Sequence, residues 1–182
     1  MPEPTLDAPV AEATDATPPR SPYGALAAYV RNAGPGDRAA LARMDPDALR
    51  PHEIAALSRA LLTAGLQPET WRVETWPRWS LIAHGMALAG HDGAGRLGRQ
   101  LAQAGVAESR VTKLLTARGE AFRQLLPRVL RLLASKSVQP NWFELGELVL
   151  KEDSSAHDDI QRAEQLRMRI AGPYFSARAT KA

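Results

Sequence analysis

Apolar residues recur along most of this chain at the three-and-four spacing of a helix, and nowhere with the strict alternation of a half-buried strand. The most regular stretch is Glu120 to Ser135, where Phe122, Leu125, Leu126, Val129, Leu132 and Leu133 build one apolar face. Pro127 interrupts it, but the periodicity continues beyond, so a kinked and not a broken helix is expected. Upstream, Glu108 to Ala117 carries Val111, Leu114 and Leu115 on one side, and Gly119 marks a break. Downstream, Asn141 is placed to cap a helix bearing Trp142, Leu145, Leu148 and Val149. Ser155 with Asp158 reads as a capping box for a last helix, Ile160 to Ala171. Gly172-Pro173 should stop it before an aromatic anchor, Tyr174-Phe175.

The first half repeats the pattern in shorter pieces. Ser21-Pro22 opens a helix with Tyr23, Leu26, Ala27 and Val30, ended by Gly34-Pro35-Gly36. Asp37 is a candidate cap for a short helix with Ala40, Leu41 and Met44. Pro51 begins another, through Ile54, Leu57, Ala60, Leu61 and Leu62, and Gly65 and Pro68 end it. Pro77 then starts a helix in which Leu81, Ile82, His84, Gly85 and Leu88 lie together, and a turn with Gly90, Gly93 and Gly95 precedes a short helix around Leu97 and Leu101. The expectation is an all-α fold, an elongated helical bundle of about seven to nine helices in two small lobes. The lobes span residues 21–105 and 106–176, between an acidic Pro/Ala-rich disordered tail at 1–20 and a flexible tail at 177–182.

Composition supports this, since Ala, Leu and Arg dominate while β-branched and aromatic residues are sparse. The absence of cysteine excludes disulfides, cysteine-ligated zinc and thiol chemistry. The first residues have neither the basic nor the apolar region of a secretory signal, and no apolar run is long enough for a membrane span. The expected setting is the cytoplasm, without a membrane partner.

Charge changes the picture more. The formal net charge is +3, but Glu3, Asp7, Glu12 and Asp15 fall in the first nineteen residues, which hold no Lys or Arg. Without those acids the body of the chain carries +7, a balance suited to a polyanionic partner.

Candidate catalytic chemistry is thin. Gly93-Ala94-Gly95-Arg96-Leu97-Gly98 has the spacing of a dinucleotide fingerprint, but it follows a helical pattern and lacks strands on either side, so it reads as a helix–helix turn. Of His52, His84, His91 and His157, only His84 and His91 share a helical spacing, and no acidic pair joins them. Glu144, Glu147, Glu152, Asp153, Asp158 and Asp159 read as a solvated face with helix N-terminal charges, and not as converging metal ligands. Trp71, Trp76 and Trp79 suit a core seam better than a base-stacking platform. No catalytic site, metal or cofactor is expected.

The basic residues carry the strongest signal. Arg96, Arg99, Arg110, Lys113, Arg118, Arg123, Arg128, Arg131 and Lys136 face only Glu108 and Glu120 within their stretch of chain. On a helical wheel Arg123, Arg128 and Arg131 lie opposite the apolar stripe, a row of cations suited to a phosphate backbone. A helical transcription regulator is the alternative. It needs a recognition helix that opens on base-reading residues, and this basic helix opens on Glu120, Ala121 and Phe122. A protein-only helical scaffold is a third reading, with no salt-sensitive DNA binding.

Several segments occur together in an informative order: Gly34 through Pro46 (GPGDRAALARMDP), Leu97 through Ala102 (LGRQLA), Ser109 through Leu115 (SRVTKLL), Arg128 through Lys136 (RVLRLLASK), Asn141-Trp142 and Tyr174. In that order and spacing, over residues 22–176, the chain resembles the CasB family, the small subunit of the type I-E CRISPR surveillance complex Cascade. The acidic tail and Pro127 depart from the family pattern. The resemblance implies an all-α, non-catalytic subunit present in two copies, whose partners are the other Cascade subunits, the guide CRISPR RNA and the target DNA. It implies a part in holding the guide–target hybrid and the displaced strand of the R-loop. Carried onto this chain, the implied phosphate contacts are Arg38, Arg43, Arg99, Arg110, Lys113, Arg123, Arg128, Arg131 and Lys136. Arg162, Arg167 and Arg169 are assigned to a subunit interface or the edge of the core.

Overall fold

The computed structural model describes residues 21–180. The acidic tail read at 1–20 lies outside the described residues, as do 181–182. The described residues form nine α-helices and a 3-10 turn, with no strand, so the fold is all-α. In order they are α1 (Pro22–Asn32), α2 (Pro35–Arg43), α3 (Pro51–Thr63), the 3-10 turn Pro68–Thr70, α4 (Thr75–Ala89), α5 (Leu97–Gln103), α6 (Glu108–Thr116), α7 (Gly119–Ser135), α8 (Trp142–Lys151) and α9 (His157–Ala179).

The cluster Leu81–Gly85 marks the centre of the molecule. Every residue of α4 from Trp79 to Met86 is buried, as in a helix apolar on all sides. It is flanked by α1, α2 and α3 and by α7 and α8. Close approach to α8 depends on Gly85, because a Cβ there would collide with the Trp142 indole and the Leu130 side chain. Trp142 in turn donates Nε1–H to the Gly90 carbonyl at 2.8 Å. The lobe boundary read at 105/106 falls in the turn between α5 and α6, and helices from both sides pack across it: α4 on α7, and α5 on α9.

Several local expectations are met. Asn141 caps α8, its side-chain oxygen accepting the Phe143 amide at 2.8 Å. The Trp71, Trp76 and Trp79 cluster packs as a seam, with Trp71 stacked on Trp79 at 5.7 Å between ring centroids and Tyr23 stacked on Trp79 at 5.8 Å.

Others are corrected. The helix expected to stop at Gly172-Pro173 runs on to Ala179, taking in the first residues read as a flexible tail. Pro173 costs one backbone bond, but the turn around it is held from outside: Tyr174 is fully buried and donates to the Val106 carbonyl at 2.7 Å. The Ser155/Asp158 capping box does not form. Ser154 donates to Asp159 at 2.7 Å instead, and the helix starts at His157. Asp37 lies inside α2, not at its cap, and its carboxylate takes Tyr29 at 2.7 Å and Arg59 at 3.0 Å. Thr75, not Pro77, begins α4.

Two helices present a different face from the one read. α3 leaves Ile54 and Leu62 exposed and buries Glu53, whose carboxylate closes back on the Arg50 amide at 2.8 Å and on the Arg50 guanidinium. In α7 the buried residues are Phe122, Leu126, Val129, Leu130 and Leu133, with Leu125 and Leu132 at the edge. The helix is thus turned toward Leu130. Arg123 lies two turns earlier on the same side, so it is drawn half out of solvent.

Candidate nucleic-acid interface

An open groove of about 580 Å³ runs between α7, α4 and the chain that leaves α2. The turn after α2 supplies Met44, Asp45, Pro46 and Asp47, and α4 supplies Leu81 and His84. Arg43 reaches it from the last residue of α2, and Arg123, Gln124, Pro127, Arg128 and Arg131 from α7. The positions follow from helix geometry: Gln124, Arg128 and Arg131 are spaced i, i+4, i+7, so they share one side of α7. Lys113 enters from a second cleft of about 390 Å³ between α6 and α7, which shares Gln124 and Arg128 with the first. The two clefts therefore meet along α7.

Of the nine cations assigned by sequence, the structure brings Arg43, Lys113, Arg123, Arg128 and Arg131 to this joined surface. Arg43, Lys113, Arg128 and Arg131 are exposed and form no ion pair among the described residues. Arg123 differs. Its guanidinium pairs with Asp153 at 3.2 Å and with Asp47 at 3.6 Å. The sequence reading counted only the acids close by in the chain, whereas these two arrive from the α2–α3 turn and the α8–α9 turn. Arg123 is a tie between three parts of the fold.

The remaining four lie elsewhere. Arg38 is exposed but donates to the Arg31 carbonyl at 2.7 Å and the Ala33 carbonyl at 3.2 Å, capping the end of α1. Arg99 borders a separate cleft with Arg96, Pro173 and Ser176, between α5 and α9. Arg110 and Lys136 are exposed on α6 and just past α7, outside both clefts. Arg96 is held by Glu144 at 3.3 Å and Arg118 by Glu164 at 2.7 Å. Arg167 belongs to the edge of the core: it is buried, paired with Glu152 and, at 2.8 Å, with Glu164. Burial brings its pKa down to about 10, with Arg118 contributing.

The acids read as a solvated face are mostly committed within the fold. Glu144 is buried and accepts the Leu97 amide at 2.8 Å, and Glu147 accepts the Tyr23 hydroxyl at 3.1 Å. Glu152 takes the Gly119 amide at 3.0 Å, and Asp159 pairs with Lys151 at 2.6 Å. Glu144 and Glu152 thereby hold the starts of α5 and α7, and Glu147 and Asp159 are tied to side chains of the fold. Of the histidines, His91 accepts the Trp142 amide on Nδ1 at 3.2 Å. His84, read from sequence as one of a helix cluster with Leu81, Ile82, Gly85 and Leu88 and weighed there only as a metal partner for His91, lines the groove. Its helical spacing showed that it was near the core but not which groove it would face.

Among the described residues, no Phe, Tyr or Trp side chain lines either cleft. The surface offers guanidinium and ammonium donors without a stacking platform or a row of base-reading amides, so what it can hold is an anionic backbone. Among the described residues, no helix is long and apolar enough to cross a membrane.

The family model described as CRISPR-associated protein Cse2 matches residues 37–175, well over half of the chain and including every residue of the groove. Neither a curated protein nor a solved structure matches the chain significantly.

Proposed function

This chain belongs to the Cse2 family, also called CasB, the small structural subunit of the type I-E CRISPR complex Cascade, and from that premise we propose that its α7 groove grips nucleic-acid backbone within the complex. Its protein partners are other Cascade subunits. The strands it holds, on this reading, are those of the R-loop: the hybrid of guide RNA with target DNA and the displaced DNA strand.

One observation carries the reading. Arg43, Arg128 and Arg131 come from two separate elements to one open groove and, although Asp45 and Asp47 also line it, form no ion pair among the described residues. Cations arranged this way attract phosphates by releasing condensed counterions, a force that is blind to sequence. Opening a duplex against a guide RNA is a nearly balanced exchange, so contacts of a few kcal/mol to backbone alone decide whether the loop stays open.

The test is binding of the purified chain to several unrelated single-stranded DNAs, to several unrelated DNA duplexes and to an RNA–DNA hybrid, across a range of salt. The expected result is similar affinity for all sequences, falling steeply as salt rises. Strong preference for one duplex sequence would instead support the transcription-regulator reading, and salt-insensitive or absent binding the protein-only scaffold.

A further inference from the structure

His84 is 4% exposed on α4, and its Nδ1 lies 3.0 Å from the carbonyl oxygen of Leu41. That carbonyl sits in the last turn of α2, where helix carbonyls lack an intrahelical partner, so the ring acts as a cap and is held in place by it. A carbonyl only accepts. Nδ1 must therefore carry the hydrogen, which leaves Nε2 as a bare lone pair whenever the ring is neutral. Nε2 makes no hydrogen bond among the described residues, and the ring lines the groove beside Arg43, Arg128 and Arg131.

The charged groups around the ring come from two sides. Arg131 faces it from α7 and Asp45 from the turn after α2. Arg43, Asp47, Arg123 and Arg128 lie further along the groove. Burial holds the imidazole pKa below its ordinary value and Arg131 adds to that, against the Leu41 bond and Asp45. In the empty groove the ring is therefore neutral near pH 7. A neutral Nε2 turns a lone pair toward any phosphate oxygen that enters, which is repulsive, whereas an imidazolium turns a donor toward it.

We infer that His84 is a proton-coupled phosphate contact: when a nucleic-acid phosphate enters the groove, Nε2 takes up a proton from solvent and donates it in a hydrogen bond to a phosphate oxygen. The inference rests on the reading of the groove as a backbone site. The phosphodiester keeps its single negative charge throughout, the ring passes from neutral to +1, and the buffer supplies the proton. Binding then tightens as the pH falls, because the bound state holds more protons than the free state. The free protein changes in the opposite sense. A histidine whose pKa is depressed on folding contributes stability that is full above its unfolded pKa and is lost as the pH drops through the folded one.

Isothermal titration of the full chain with a single-stranded oligonucleotide, at one pH in two buffers of different ionisation enthalpy, reads the proton directly. The expected result is uptake of up to about one proton per bound site and affinity about fivefold tighter at pH 6.0 than at pH 7.5. His84→Asn keeps an amide donor for the Leu41 carbonyl and removes the titrating nitrogen, so it should abolish the uptake while His52, His91 and His157 remain. Should that variant fail to fold, the imidazole nitrogen spectrum of the wild-type chain gives the same answer, with one histidine titrating at higher pH when oligonucleotide is bound. Salt-sensitive binding without buffer-dependent heat, with affinity level across this pH range, overturns the inference and leaves the groove reading intact. Absence of salt-sensitive binding overturns both.

Discussion

Gly98 on α5 lies so close to the carbonyl of Ile170 on α9 that no Cβ fits between them. It is the last glycine of the stretch with dinucleotide-fingerprint spacing, and its use here is helix packing, not phosphate binding. The two helices meet along this contact, and the same closeness brings Tyr174 under α5 to reach the Val106 carbonyl.

Gly98→Ala should therefore destabilise the fold even though alanine is the better helix former. The overlap is with backbone, which cannot rotate away as a side chain would, so a loss of about 1–3 kcal/mol is expected. Urea unfolding followed by circular dichroism measures it. An unchanged midpoint would show that α5 shifts freely on α9.

Replacing Arg128 and Arg131 together with glutamine should weaken binding to single-stranded DNA and flatten its salt dependence. Each lost phosphate contact reduces the slope of log affinity against log salt by about 0.7, so the pair should account for about 1.4. Fluorescence anisotropy at several salt concentrations reads this, and parallel lines for wild type and variant would remove α7 from the interface.

Arg123→Gln should behave differently, although Arg123 belongs to the same sequence row. Its guanidinium is already occupied by Asp47 and Asp153, so the salt slope should change by less than half as much as for a single free arginine. Because the two carboxylates are more than half exposed, the stability loss should stay within about 1 kcal/mol. A full-sized slope change would mean that phosphate displaces the two aspartates.

Acid should find a weak point at Glu53. Hydrogen bonding from the Arg50 guanidinium holds its carboxyl below the ordinary glutamate range, despite its burial. A carboxyl depressed on folding contributes stability that is complete above its unfolded pKa and disappears as the pH falls through the folded value. Unfolding midpoints should therefore decline below about pH 4.5. Glu53→Gln should lower stability at pH 7 and make that decline shallower, and an equally steep decline in the variant would assign the acid sensitivity to other carboxylates.

Much of the fold is legible in the chain because the forces that write it are local. Apolar residues three and four apart face one way once the backbone is helical, and Asn141 bonds an amide two residues on, so helix positions follow from neighbours in sequence. The end of α9 was not legible for the same reason. Gly172-Pro173 is a stop by local rules, and a contact with Val106, far away in the chain, overrides it.

The sequence by itself determined that this protein is helical, that its body is cationic, and that α7 presents arginines along one side. Tertiary structure alone decided which of those arginines is paired within the fold. Arg123 and Arg128 sit on one helix, yet a turn after α2 and a turn after α8 deliver Asp47 and Asp153 to the first, while the second forms no ion pair among the described residues. It also decided that His84, forty-three residues from Leu41, would cap a carbonyl with one nitrogen while its ring lines the groove. Helical periodicity fixes directions about a single axis. Which charges meet depends on how separate axes pack, and that is set by the close fits at Gly85 and Gly98, contacts between residues distant in the chain.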